Sequence, residues 1–202
     1  VLFAAGYPTW IAVGVALLGG LVGGAVNGVL VSFIGILPFV ATLAMLTILS
    51  GAAFVLSGGK TISGASIPAE FAQFARGGIP LGEIGGVAVM LPNLTIVAAC
   101  VVFAVWVLLE QTTFGRRLYA IGGNIEAAYL SGVAVRRLKL IAFAITGLSA
   151  AAAGLMYASR VASANPTQGS GLMLNAIAAV FLGMTMSEQG VPRILATVIG
   201  VL

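Results

Sequence analysis

Two uncharged apolar stretches determine the architecture of this chain: residues 10–31 read WIAVGVALLGGLVGGAVNGVLV, and residues 37–57 read LPFVATLAMLTILSGAAFVLS. Each is as long as the roughly 20 residues that a helix needs to cross the ~30 Å hydrocarbon core of a bilayer. A short segment with Gly35 and Pro38 separates them, which is typical of a turn. The sequence therefore predicts a hairpin of two transmembrane helices.

The whole chain has the composition of a membrane protein. Of its 202 residues, 60% are apolar and 7% are charged, whereas about 25% of residues are charged in a typical soluble domain. The mean hydropathy is +1.17. Because so few polar side chains cannot cover a water-exposed surface, we expect the bilayer to be the solvent.

The residue types also argue against an enzyme. The chain has no His and no Asp, and its single cysteine, Cys100, lies within an apolar run. These counts argue against disulfide frameworks, zinc clusters, His-based triads and paired aspartates. We therefore predict no catalytic residue, no metal site and no cofactor bound by this chain.

Three further stretches are predicted to span the membrane, at residues 93–109, 139–159 and 172–187. Asn93 follows Pro92 and is predicted to cap the first of these helices. Residues 191–202 are interpreted as the start of a sixth span. The predicted fold is an all-α polytopic transmembrane bundle, a single domain over residues 1–202 that we expect to be truncated at both ends.

Residues 58–92 are predicted to form a loop with one short helix outside the hydrocarbon core. They carry four charged residues, three prolines and many glycines, which makes the segment too polar to span whole. Its last part, residues 84–91, is apolar enough to dip into the membrane interface.

The loop at residues 111–139 contains five basic residues and one acidic residue, Glu126, so it accounts for the net charge of +4. The basic residues are Arg116, Arg117, Arg136, Arg137 and Lys139. Short loops rich in Lys and Arg stay in the cytoplasm, which places residues 58–92 and 160–171 outside. Basic residues so close to the membrane suit anionic lipid and argue against a nucleic-acid partner.

Within this loop, residues 113–140 read TFGRRLYAIGGNIEAAYLSGVAVRRLKL and predict a short helix with defined ends. Gly122 and Gly123 predict a break, Asn124 an N-cap and Gly132 a stop. Glu126 lies in the first turn, where a negative charge suits the helix dipole. The pattern fits a helix that docks on another protein, and it fits a plain surface helix as well.

The stretch LYAIGGNIEAAYLSGV, followed by RRLKL, resembles the cytoplasmic signature of ribose- and xylose-type permeases of ATP-binding cassette (ABC) importers. GGAVNGVLV and LPFVATLAMLTILSGAAFVLSGGKTIS upstream resemble the same family, as does ASANPTQGSGLMLNAIAAVFLG downstream. The resemblance covers nearly all of the chain in collinear order. It implies a multi-pass permease of the bacterial plasma (inner) membrane that imports a ribose- or xylose-like monosaccharide.

The resemblance also implies partners. In such importers a short cytoplasmic coupling helix, here about residues 124–132, seats in a groove of a separate ATPase subunit, which binds the ATP. A periplasmic or extracellular substrate-binding protein and a second permease copy are further expected partners. The positions expected to couple to the ATPase are Gly122, Gly123, Asn124, Glu126, Ala127, Ala128, Leu130, Ser131 and Gly132.

Neutral hydrogen-bonding side chains in or beside the spans are candidates for the substrate pathway, since they can pass a hydroxylated solute without trapping it. These candidates are Asn27, Thr42, Asn165, Thr167 and Asn175. Each residue alone fits an interhelical hydrogen bond or a loop cap better than a pathway role, and only the set as a whole predicts a pathway. The absence of buried charge in the spans argues against a proton-coupled or ion-coupled carrier, whereas an ATP-independent facilitator or channel remains the alternative function.

Glycines recur every four residues in the first span, at Gly20, Gly24 and Gly28 and again at Gly19 and Gly23. Such spacing makes one helix face smooth enough for close backbone approach. The pattern favours helix packing within the chain, and contact between two copies of the chain is the alternative interpretation.

Overall fold

A computed structural model describes residues 2–3, 5–63, 67–84, 87–185 and 193–201. Helices dominate this part of the chain. They are α1 (Thr9–Val29), α2 (Pro38–Ser57), α3 (Ala69–Arg76), α4 (Asn93–Trp106), α5 (Thr113–Gly123), α6 (Ile125–Leu130), α7 (Val135–Val161), α8 (Ser170–Thr185) and α9 (Ile194–Val201). Four short strands are β1 (Ile62–Ser63), β2 (Gly78–Ile84), β3 (Val87–Pro92) and β4 (Ser163–Ala164).

Within the described residues, four helices are long and apolar enough to cross a membrane, counting the π-helical turns that extend α1 and α4. They cover Thr9–Ile34, Pro38–Ser57, Asn93–Gln111 and Val135–Val161. These confirm the first four predicted spans and the all-α membrane fold. The fifth predicted span corresponds to α8, which at 16 residues is shorter than the other four spans. The predicted end of that span, at residue 187, lies outside the described residues.

Helix α1 packs most extensively against α7, although a short turn joins it to α2 as predicted. The two helices run antiparallel and approach at glycines. A Cβ atom added to Gly24 would lie 3.0 Å from Gly147 Cα, and one added to Gly28 would lie 2.9 Å from Leu140 Cα. The glycine face of α1 therefore packs within the chain, as favoured from the sequence, through its Gly20, Gly24 and Gly28 register.

The two segments predicted to be external meet at one end of the bundle. Strands β1 and β4 pair antiparallel, and Asn165 Nδ2 donates a hydrogen bond to Thr61 Oγ1 at 3.1 Å. The buried Ser159 hydroxyl at the end of α7 donates to Phe71 O of α3. Ala162 ends α7 in the left-handed region at φ 51°. The basic loop lies at the opposite end of α7.

Two local predictions in residues 58–93 need correction. The short helix is confirmed as α3, but residues 78–84 and 87–92 pair as the antiparallel strands β2 and β3 rather than forming an irregular loop. Asn93 does not cap α4. Its Nδ2 instead donates to Phe74 O at 3.0 Å, while Pro92 occupies the N-cap position. The asparagine therefore holds α3 to the start of α4.

Candidate functional site

The basic loop at residues 111–139 is a folded unit built from α5, α6 and the first turn of α7. Ile121 of α5, Ala128 of α6 and Leu138 of α7 are buried together in one cluster. Four partly buried side chains pack against this cluster, namely Phe114, Leu118, Val133 and Val135. This small apolar core fixes α6 relative to the spans, so a displacement of α6 is carried into α7.

Both ends of α6 are closed as the sequence predicts. The Asn124 side-chain oxygen accepts hydrogen bonds from the backbone N–H groups of Glu126 and Ala127, each at 3.0 Å. At the other end, Gly132 adopts φ 77° and its N–H donates to Tyr129 O at 3.0 Å. The Ser131 hydroxyl donates to Ala127 O at 2.8 Å. These bonds satisfy backbone groups that a helix of six residues leaves free.

Gly132→Val is expected to fray the C-terminal end of α6, because a β-branched side chain is strained by about 1–2 kcal/mol or more in the left-handed region. Hydrogen exchange should accelerate at the amides of Gly132 and of Val133, which donates to Ala128 O. Gly132→Asn is the matched control, since Asn tolerates this conformation. Equal exchange rates in wild type and Gly132→Val would contradict this role of the glycine.

The outward face of α6 is apolar and exposed. Ile125, Tyr129 and Leu130 expose 52%, 71% and 80% of their surface. Glu126 is also exposed, in the first turn. Large apolar side chains that point away from a protein's own core mark a contact surface. Helix α6 therefore presents a ready-made face for a partner.

The structure changes the role of several predicted coupling positions. Gly122 and Gly123 do not interrupt the helical conformation. They are the last residues of α5, an 11-residue helix that was not predicted from the sequence. The break falls at Asn124, and the helix covers six residues, Ile125–Leu130, within the predicted range of about 124–132. Ala128 faces the loop's own core. Ile125 and Tyr129 were missed, although their i, i+4 spacing places both apolar side chains on one side of the helix and could have indicated them.

A sharp turn joins the span of α4 to α5. Thr112 Oγ1 donates to Leu108 O at 2.5 Å and accepts from the N–H of Gly115 at 3.4 Å. A Cβ atom on Gly115 would lie 2.5 Å from Leu109 Cα, so only glycine fits at this crossing. The junction therefore holds α5 firmly against the end of the span.

Polar and charged groups gather beside this junction. Trp106 Nε1 donates to Glu110 Oε2 at 2.9 Å. Burial raises the pKa of Tyr119, the Glu110 carboxylate raises it further, and Arg193 at the start of α9 acts in the opposite direction. Tyr119 therefore stays protonated and neutral at physiological pH. The indole of Trp106 thus holds the Glu110 carboxylate at the end of the span.

The predicted pathway residues lie in four separate places. Asn165 and Thr167 share the turn before α8, where Asn165 Oδ1 accepts from the Thr167 N–H and hydroxyl at 3.0 and 2.9 Å. Thr42 donates to carbonyls of its own helix, and Asn175 is exposed on α8. Asn27 lies on α1, and its buried Oδ1 has no hydrogen-bond partner in the described part of the chain. Their assignment to a pathway stays a prediction.

The chain that forms this helical membrane bundle and its basic loop matches a known protein family along the whole given sequence. The profile of the family described as "Branched-chain amino acid transport system / permease component" matches residues 1–202. The chain belongs to this family. The expectation of a multi-pass membrane protein that is a transport component is confirmed at the level of the family.

Curated relatives of this permease chain are named as import permeases. It is 44% identical to the ribose import permease protein RbsC of Bacillus subtilis over 87% of its length. It is 34% identical to the galactose/methyl galactoside import permease protein MglC of Haemophilus influenzae over 91%, and 38% identical to the autoinducer 2 import system permease protein LsrC of Escherichia coli over 98%. The chain spans 52%, 53% and 55% of these relatives. No solved structure matches it.

Proposed function

We propose that this chain is part of the membrane-spanning permease subunit of an ABC importer that translocates a monosaccharide. The observation that carries the proposal is α6, a capped helix held on its own core through Ala128 that exposes Ile125, Tyr129 and Leu130. A solute channel that works alone has no need of such a face. The relatives named for ribose and galactose import support a sugar as the substrate.

Force from a partner would reach the spans through contacts within the chain. A separate ATPase subunit would bind ATP and move α6, and the Ile121–Ala128–Leu138 cluster would carry that movement into α7. Helix α7 would in turn move α1, because the two backbones touch at Gly24 and Gly147 with no flexible side chain between them. Closely packed elements shift as rigid bodies. In this proposal the chain itself holds no cofactor.

The opposite end of the bundle would receive the sugar. Strands β1 and β4, the Asn165 turn and α3 are bonded into one platform there, which offers a substrate-binding protein a rigid surface. A second permease copy would complete the assembly beside the exposed apolar faces of the spans. The sugar would pass neutral side chains, of which Asn27 is the best placed because its buried oxygen lacks a partner among the described residues.

The test is sugar uptake by vesicles that contain the full-length permease, its ATPase and its binding protein, with and without ATP. We expect ATP-dependent uptake in wild type and an about tenfold reduction in Glu126→Arg, which corresponds to about 1.4 kcal/mol of lost ATPase binding. Glu126→Gln is the control for the loss of the first-turn charge alone.

The same experiment separates the two candidate functions. ATP-independent uptake that is equal in wild type and Glu126→Arg would contradict the importer and favour an ATP-independent facilitator. A reduction of equal size in Glu126→Gln would assign the effect to the loss of the negative charge and not to the added positive charge.

A further inference from the structure

The β2–β3 hairpin is apolar on both faces at its base. Its register pairs Ile79 with Leu91 and Pro80 with Met90, and successive pairs along a strand lie on opposite faces of a sheet. Ile79 and Met90 expose 54% and 61% of their surface. An antiparallel sheet in water normally keeps one face polar. Because the base of this hairpin has no polar face, water is a poor solvent for either side.

The hairpin is tied directly to a membrane-spanning helix. Strand β3 ends at Pro92, and α4 begins at the next residue. The Asn93 N–H donates to Gly77 O at 3.0 Å, and Asn93 Nδ2 donates to Phe74 O at 3.0 Å. These bonds hold the base of the hairpin at the end of the span, at the depth where the hydrocarbon core meets the headgroups.

The apolar surface of the hairpin continues along α4. Leu91 of β3 begins a groove of about 480 Å³ that runs over the first half of the helix. The other lining residues are Thr95, Ile96, Ala99, Cys100 and Phe103. None of these side chains is charged, and no described residue of α4 is buried within the chain. The groove can therefore attract a ligand only through apolar contact.

We propose that the β2–β3 hairpin lies in the outer leaflet of the bilayer and that the groove beside it holds a lipid acyl chain. Helix α4 is long and apolar enough to span the membrane and buries none of its described residues within the chain, so a hydrocarbon chain of the bilayer is the ligand that its uncharged, apolar groove suits. The unpaired backbone edges of the hairpin fix its depth. Such edges are tolerated at the interface, where water and headgroups can bond to them, but not in the hydrocarbon core.

Single-cysteine variants of the full-length protein in vesicles test this placement. In a Cys100→Ala background, Met90→Cys and Ile79→Cys place an environment-sensitive fluorophore on opposite faces of the hairpin. The native Cys100, labelled alone, reports on the groove. Brominated phospholipids quench a label that touches acyl chains, and aqueous iodide quenches one that faces water. Lys60→Cys, on the same side of the membrane and exposed, is the water-facing control.

We expect labels at residues 79, 90 and 100 to lose most of their fluorescence in brominated lipid and to be insensitive to iodide, with the reverse at residue 60. Quenching by iodide at residue 79 or 90 would overturn the placement of the hairpin. Failure to label Cys100, or a label there that neither agent quenches, would show that protein covers the groove and would overturn the acyl-chain site. Both results are independent of transport.

Discussion

Gly147→Leu is expected to stop the chain from accumulating as a folded membrane protein. A Cβ atom at this position would lie 2.8 Å from Gly24 Cα and 2.9 Å from Gly24 N, which are backbone atoms that cannot rotate away. Overpacking against movable side chains already costs about 1–3 kcal/mol. We expect a loss of about 3 kcal/mol or more here, because α1 and α7 would have to separate along their whole seam.

This effect is measured on the detergent-solubilised protein. Size-exclusion chromatography gives the yield of folded protein, and thermal unfolding gives its melting temperature. Gly154→Leu is the matched control, since it lies two turns further along α7 and no described residue comes within 4 Å of a Cβ placed there. Normal yield and melting temperature in Gly147→Leu would contradict a close seam. An equal loss in both variants would point to a general intolerance of leucine in α7.

The spans were predictable because the bilayer imposes a length and excludes charge. An uncharged run of some 20 residues has few alternatives to a transmembrane helix. The ends of α6 were predictable for a different reason, since Asn124 and Gly132 act on the backbone of their own neighbours. Local chemistry of this kind can be read without knowing the fold.

Pairings between distant segments were not predictable in the same way. The glycines of α1 indicated a close contact, but nothing in the sequence singled out Gly147 as the residue they meet. Asn93 looked like a helix cap, yet its side chain bonds to Phe74 O, 19 positions away. Both outcomes depend on which elements lie side by side, and apolar composition alone does not distinguish the possible neighbours.

Helix α5 and the β2–β3 hairpin were not predicted because glycine and proline residues in these segments favour turns and loops. Gly122 and Gly123 are weak helix formers, but α5 runs through them because Ile121 is anchored in the loop's core. The apolar residues of β2 and β3 are interrupted by glycines and by Pro80, which favour a loop in isolation. Tertiary contacts override propensity in the first case, and strand pairing overrides it in the second.

Tyr129→Asp is expected to weaken binding of the ATPase subunit by at least about 2 kcal/mol, roughly 30-fold, because exposed aromatic anchors dominate the energy of an interface. Tyr129 has 71% of its surface exposed and lies next to Leu130 on α6. A buried Asp on this face would lose its water without gaining a partner. Fold and membrane insertion should be unchanged, since the side chain contributes nothing to the Ile121–Ala128–Leu138 cluster.

Co-purification of the ATPase with the permease, and its Kd by titration in nanodiscs, measure the loss. Tyr129→Phe should bind like wild type, since it keeps the apolar ring. Ala134→Asp adds the same charge to the same loop at the exposed N-cap of α7, where Asp is favourable, and should retain binding. If Ala134→Asp weakens binding as much as Tyr129→Asp, the effect is one of loop charge. If the Tyr129→Asp, Leu130→Asp double variant still binds the ATPase as wild type does, then the ATPase does not bind α6, and the exposed face of α6 serves another contact.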